Sequence, residues 1–187
     1  MASTYDLFFT KDREFAARIR SLDDPSAVKV VLTVIRQQPE AQFIVAFMSV
    51  FVTTDWTGAA NIVAHRDRGV IEMDGQETYR HAVARLTEAS REALAAAGIA
   101  LDDVDLFVPH QANARITRAV GARLGLPAER VVDCIAELGN TSAATLPLAL
   151  AQAESAGRLQ AGDTVLLAAF GAGFTWGAAV LEWGRPA

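Results

Sequence analysis

The sequence predicts an α/β fold: a mixed, mostly parallel sheet of about five strands flanked by helices. Two observations carry this expectation. From residue 70 onward, short apolar runs alternate with longer segments whose apolar residues recur every three or four positions, the pattern of strand–helix–strand units. The last two apolar runs are joined by a short glycine-rich link instead, which returns the final strand antiparallel.

The elements follow in order. Residues 1–69 read poorly and are treated as an N-terminal segment of unclear origin, with residues 70–187 as the main domain. Lys11 to Leu22 has Phe15, Ile19 and Leu22 at helical spacing. Val28 to Ile35 is rich in β-branched residues and reads as a strand. Phe43 to Val52 reads as a second strand, Thr53 to Gly58 as a turn and His65 to Gly69 as a charged loop. Gln76 to Ala97 is a strong helix, capped by Asp74 and stopped by Gly98. Its expected inward face is Tyr79, Val83, Leu86, Ala89, Ala93 and Ala97.

Asp105 to Pro109 is a short buried strand. Asn113 to Leu124 is a second helix with Ile116, Val120 and Leu124 inward, ended by Gly125 and Pro127. Val131 to Ile135 is expected to be a strand, Thr141 to Ala156 a third helix, and Asp163 to Ala169 and Trp176 to Trp183 the last two strands.

Composition narrows the function classes. The 187 residues are 51% hydrophobic and 21% charged, which excludes wholesale disorder. A net charge of -5 gives no general electrostatic reason to bind nucleic acid. Cys134 is the single cysteine, so an internal disulfide or a cysteine metal cluster is excluded. His65, His81 and His110 show no zinc-ligand spacing. The most apolar run, Phe43 to Val52, is too short to span a membrane. A cytoplasmic location is expected.

Three loops follow the C-terminal ends of predicted strands, where open α/β sheets bind ligands. They are Pro109–Asn113 (PHQAN), Leu138–Ser142 (LGNTS) and Phe170–Phe174 (FGAGF). His110 can donate a hydrogen bond from Nε2 if a backbone group holds its other nitrogen. Asn140 either caps the following helix or turns its amide toward the same spot. Two neutral donors converging on one oxygen would stabilise an oxyanion or enolate. Each feature also has a plain structural reading: a satisfied histidine, a helix cap, a hairpin turn, core aromatics and a solvated arginine face.

Taken together, VPHQANARITRAVGARLGLP, ELGNTSAATLPLALA and GDTVLLAAFGAGFTWGAAVLEW resemble the C-terminal half of ketoacyl-ACP synthase III, a thiolase-like condensing enzyme family. MDGQETYRHAVARLTEASREALAAAG resembles the helix before those motifs. The resemblance covers about residues 70 to 185 and implies a thiolase-like half-fold. It implies that His110 and Asn140 donate hydrogen bonds to a malonyl thioester carbonyl and stabilise the enolate left by decarboxylation. It implies that the Ala172 backbone N–H completes an oxyanion hole, and that Arg115 meets the acidic acyl carrier protein. Phe170 and Phe174 either line the acyl pocket or support it. The implied substrates are acyl-CoA and malonyl-ACP, with no further cofactor or metal.

The family's nucleophile is a cysteine in the N-terminal half, and Cys134 does not match it. The chain therefore carries the His/Asn half of a two-part site. Three functions compete. One is a condensing acyltransferase completed by an N-terminal-half chain, with a homodimer implied by resemblance. The second is a residual malonyl thioester decarboxylase. The third is a catalytically incompetent fragment or a binding module for acyl carrier protein or a partner synthase.

Overall fold

Asp74 opens the longest helix among the described residues. Its carboxylate accepts the backbone N–H groups of Gln76 and Glu77, and Gly98 closes the helix in the left-handed region at φ 69°. A computed structural model of the chain describes residues 30–31, 46–54, 56–65 and 67–184. Its strands are β1 (Val30–Val31), β2 (Ala46–Thr54), β3 (Ile62–His65), β4 (Val70–Met73), β5 (Leu106–Pro109), β6 (Thr164–Gly171) and β7 (Thr175–Glu182). Its helices are α1 (Gly75–Ala97), α2 (Ala114–Leu124), the single turn α3 (Ile135–Leu138) and α4 (Thr145–Ser155). The expected helix at Lys11 to Leu22 lies outside the described residues, as does most of the expected strand Val28 to Ile35.

Five strands form one mixed sheet in the order β1-β2-β7-β6-β5. Successive side chains alternate between its faces. Phe107, Leu166, Ala168, Trp176 and Val180 pack against α1 and α2. Leu106, Val108, Val165 and Leu181 pack against α4 and the segment around Val132. The sheet is thus sandwiched between helical layers, which is why its strands read as continuous apolar runs. Among the described residues no helix is long and apolar enough to cross a membrane.

Several expectations are corrected. The sheet is mixed, but only β5 and β6 pair in parallel; β1–β2, β2–β7 and β6–β7 are antiparallel. Part of the reason is that β2, from the N-terminal segment, pairs along the length of β7. The division at residue 69/70 therefore does not coincide with a break in the sheet. The expected strand Val131 to Ile135 is a single parallel bridge, Val131 to Phe107, followed by α3. The backbone groups of Val132 and Cys134 that a longer ladder would use are taken by the Gln111 side chain. The charged loop at His65 to Gly69 is the turn of an antiparallel hairpin, β3–β4. The expected turn at Thr53 to Gly58 is the end of β2 and the start of a 3₁₀ segment, Trp56–Asn61. In α1 the inward stripe runs through Thr78, Ala82 and Val83, so Tyr79 is exposed.

Candidate active site

An apolar cavity of about 940 Å³ opens at the C-terminal ends of β5 and β6. His110, Asn140, Phe170 and Ala172 all line it, so one residue or more from each of the three loops reaches the same space. Its walls include Leu86 of α1, Ile116 of α2, Trp176 of β7, and Ile71 and Met73 of the β3–β4 hairpin. Among the described residues no Asp, Glu, Lys or Arg lines it. Hydrogen bonds made in such a low-dielectric space are stronger than in water.

His110 follows β5 directly, and its backbone N–H donates to the Ala168 carbonyl at 2.7 Å. That bond extends the parallel pairing of β5 with β6 by one residue and fixes where the ring starts. The imidazole Nδ1 is buried and has no hydrogen-bond partner. Among the described residues no backbone acceptor holds Nδ1. Burial pushes the imidazole pKa below its ordinary value, which keeps the ring neutral near pH 7, with one donor and one acceptor nitrogen.

Asn140 sits in the turn between α3 and α4. Its Oδ1 accepts the Ser142 backbone N–H at 3.0 Å. Asn140 does not cap α4, whose N-cap position is Ala144 with no side-chain hydrogen bond; its Oδ1 holds the turn instead, which leaves both Nδ2 protons uncommitted by that bond.

Backbone strain marks the same loops. Among the described residues, the non-glycine positions with positive φ are Ser142 (52°) and Phe174 (49°), one beside Asn140 and one beside Ala172. Such conformations persist only where the surroundings enforce them, and they gather at functional sites. For Phe174 the enforcement is visible. Its ring is fully buried, 5.1 Å from the Phe170 ring and 5.0 Å from His81. Phe170 lines the cavity; Phe174 does not, so of the two readings it takes the supporting one. Arg115 is exposed on the first turn of α2, where its backbone N–H is held by the Asn113 cap.

Cys134 is at the N-terminal boundary of α3, not inside a strand. It is 3% exposed and does not line the cavity. Burial, together with the nearby Glu137 and Asp133 carboxylates, raises its pKa. A thiol so placed is a poor nucleophile at neutral pH. No group of three or more His, Cys, Asp or Glu residues is placed to hold a metal among the described residues.

Sequence reasoning missed Gln111. It is 1% exposed and bonded on every side. The available signal was a long polar side chain between an apolar strand and a helix cap, a place where a buried amide must find partners. It also missed the contribution of Ile62, Ile71 and Met73, because a four-residue hairpin strand leaves almost no periodicity to read.

The chain is similar to known proteins over part of its length. Residues 94–183 match the family described as 3-oxoacyl-[acyl-carrier-protein (ACP)] synthase III, C terminal. A beta-ketoacyl-[acyl-carrier-protein] synthase III from Nitratidesulfovibrio vulgaris is 53% identical over 113 residues, 60% of this chain and 34% of that protein. One from Staphylococcus saprophyticus is 43% identical over 132 residues, 71% of this chain and 42% of that protein. Among solved structures, the synthase III of Thermus thermophilus superimposes with a TM-score of 0.71 at 42% identity, over 82% of this chain and 50% of that one. The Pseudomonas aeruginosa synthase III gives 0.73 at 36% identity, over 81% and 48%. The chain thus spans between a third and a half of the length of these relatives.

Proposed function

Starting from a chain whose residues 94–183 belong to the C-terminal part of the 3-oxoacyl-ACP synthase III family, we propose that it supplies the His/Asn half of a decarboxylative condensing site. The observation that carries this reading is the shared cavity: His110, Asn140 and Ala172 line one space with no charged side chain among the described lining residues.

In the proposed step, a malonyl thioester enters with its carbonyl oxygen between His110 and Asn140. The bond between the α-carbon and the carboxylate breaks, CO2 leaves, and the electron pair moves into an enolate. A neutral imidazole N–H and the Asn140 amide donate to that oxygen as its charge grows. Donors aimed at developing charge lower the barrier without needing to bind the ground state more tightly. The burial that keeps His110 neutral suits this role, since an electrophilic donor here needs no proton transfer. The enolate carbon then takes a proton from water to give an acetyl thioester, or attacks an acyl thioester carbonyl whose oxygen faces the Ala172 N–H, the new C–C bond forming as the C–S bond breaks and the thiolate leaves.

The second outcome requires an acyl group on a nucleophile. Cys134, buried with a raised pKa and outside the cavity, does not fit that task. This favours condensation only when another chain brings a cysteine to the cavity mouth. Acyl carrier protein is the proposed partner, with Arg115 as a contact, and a homodimer the proposed assembly. The proposed substrates are acyl-CoA and malonyl-ACP, with no further cofactor, in the cytoplasm.

The test is CO2 release from malonyl-CoA or malonyl-ACP by the full chain, against His110→Ala and Asn140→Ala. Turnover lost in both variants supports the paired-donor site. A wild-type chain that leaves malonyl thioesters intact, alone and mixed with a cysteine-bearing N-terminal half, leaves only the non-enzymatic module.

A further inference from the structure

His110 and Asn140 are thirty residues apart on separate loops, so something must set their spacing. The residue next to His110 touches both ends of the segment that carries Asn140. The Gln111 side chain donates from Nε2 to the Pro109 carbonyl at 2.9 Å and to the Val132 carbonyl at 3.1 Å. Its Oε1 accepts the Cys134 backbone N–H at 2.9 Å. Both amide protons and the carbonyl oxygen are therefore engaged, one proton within its own loop at Pro109 and the other two groups at the start of the segment. At its far end, the Gln111 backbone N–H donates to Thr145 Oγ1 at 2.9 Å. Thr145 is 4% exposed and is the first residue of α4.

We propose that Gln111 is a positioning residue: a two-armed clamp that fastens both ends of residues 132–145 to the His110 loop and so sets the distance between the two donors. The inference rests on the proposed pairing of His110 with Asn140. Gln111 does not line the cavity, so it acts through the residues it holds. A buried amide with all three of its groups satisfied is rigid, since letting go of any one leaves a polar group unpaired. The segment also has Val132 and Cys134 in the core and the Val132 N–H on the Phe107 carbonyl; beyond them it is one helical turn, a glycine with positive φ and the strained Ser142.

The two arms can be cut separately. Gln111→Met keeps length and bulk but removes the side-chain arm. Thr145→Val removes the acceptor of the backbone arm, and Thr145→Ser retains it. Two readouts are taken on the full chain: steady-state malonyl-CoA decarboxylation, and the NMR resonance of the Asn140 side-chain amide. Misplaced catalytic groups cost about 10- to 100-fold in rate. The expected result is a kcat loss of that order for Thr145→Val with KM nearly unchanged, recovery in Thr145→Ser, and a shifted Asn140 amide only in the variants that cut an arm. Gln111→Met is expected to do the same where it folds. Equal effects of valine and serine at position 145, or an unmoved Asn140 amide in Thr145→Val, overturn the clamp. If the wild-type chain releases no CO2, the proposed function fails, and the amide resonance alone decides the clamp.

Discussion

Phe170 lines the cavity and Phe174 stands behind it, the two rings meeting edge to face at 73° with centroids 5.1 Å apart. The Gly171–Gly173 turn between them carries Ala172, which also lines the cavity. Phe174 is held at φ 49°, a cost of about 1–2 kcal/mol for a residue with a Cβ, which burial of the whole ring offsets.

The space for the Phe174 ring depends on Gly58 in the Trp56–Asn61 segment. A Cβ on Gly58 would lie 2.7 Å from the Phe174 carbons Cγ and Cε1. Gly58→Ala is therefore expected to destabilise by about 1–3 kcal/mol through overpacking, and Phe174→Ala by about 3–5 kcal/mol through the cavity it leaves. Because the two share one contact, the double variant should fall well short of the sum. Urea denaturation of the four proteins measures this, and strict additivity would separate residue 58 from the site.

For the donors, His110→Ala and Asn140→Ala are each expected to lower malonyl thioester decarboxylation by about 10²–10³-fold, the usual cost of losing one preorganised donor. The double variant should lose little more than either single one, because two donors on one oxygen act as a unit. Losses that multiply would instead indicate separate roles.

Much of this was legible in the sequence because the signals were local. α1 could be read from Asp74 to Gly98 because a side-chain cap and a left-handed glycine lie at its two ends. The loops at His110 and Ala172 were legible as neighbours because the paired ends of β5 and β6 share one edge of the sheet; Asn140 reaches it from the α3–α4 turn and not from a strand end. What was not legible depended on distant partners. Val131 to Ile135 has a strand's composition, yet Gln111, twenty-one residues before Val132, takes its ladder groups. For Phe174 the sequence leaves lining and supporting the pocket open, and the approach of Gly58 and His81 shows it facing the core. Strand β2 was legible as a strand, but its antiparallel place beside β7 has no local marker.

Arg115 tests the proposed carrier-protein contact. It is exposed at the start of α2, beside the loop that bears His110. Charge reversal by Arg115→Glu is expected to weaken binding of acyl carrier protein several-fold at low ionic strength. The difference should shrink as salt rises, since exposed charges are screened within about 10 Å at 0.1 M. Titration by fluorescence anisotropy at two salt concentrations is sufficient. Equal affinity of the two proteins at low salt would move the docking surface elsewhere.

The buried imidazole links stability to pH with a definite sign. Burial lowers the folded-state pKa of His110, while in the unfolded chain the ring titrates near its ordinary value of about 6.5. Between those two values the unfolded chain binds a proton that the folded chain does not, so stability falls as pH drops. The contribution is fully present above about pH 6.5 and is lost as pH falls toward the folded pKa, below which the slope vanishes. Replacing His110 with Gln removes this proton linkage and keeps a polar side chain at the position. Thermal melts of wild type and His110→Gln between pH 5 and 8 should therefore converge as the pH falls if the wild type is the more stable at pH 8, or separate further if it is the less stable. A difference that stays constant across that range would mean that the folded protein charges His110 as readily as water does, and the neutral donor assigned to the enolate would be lost with it.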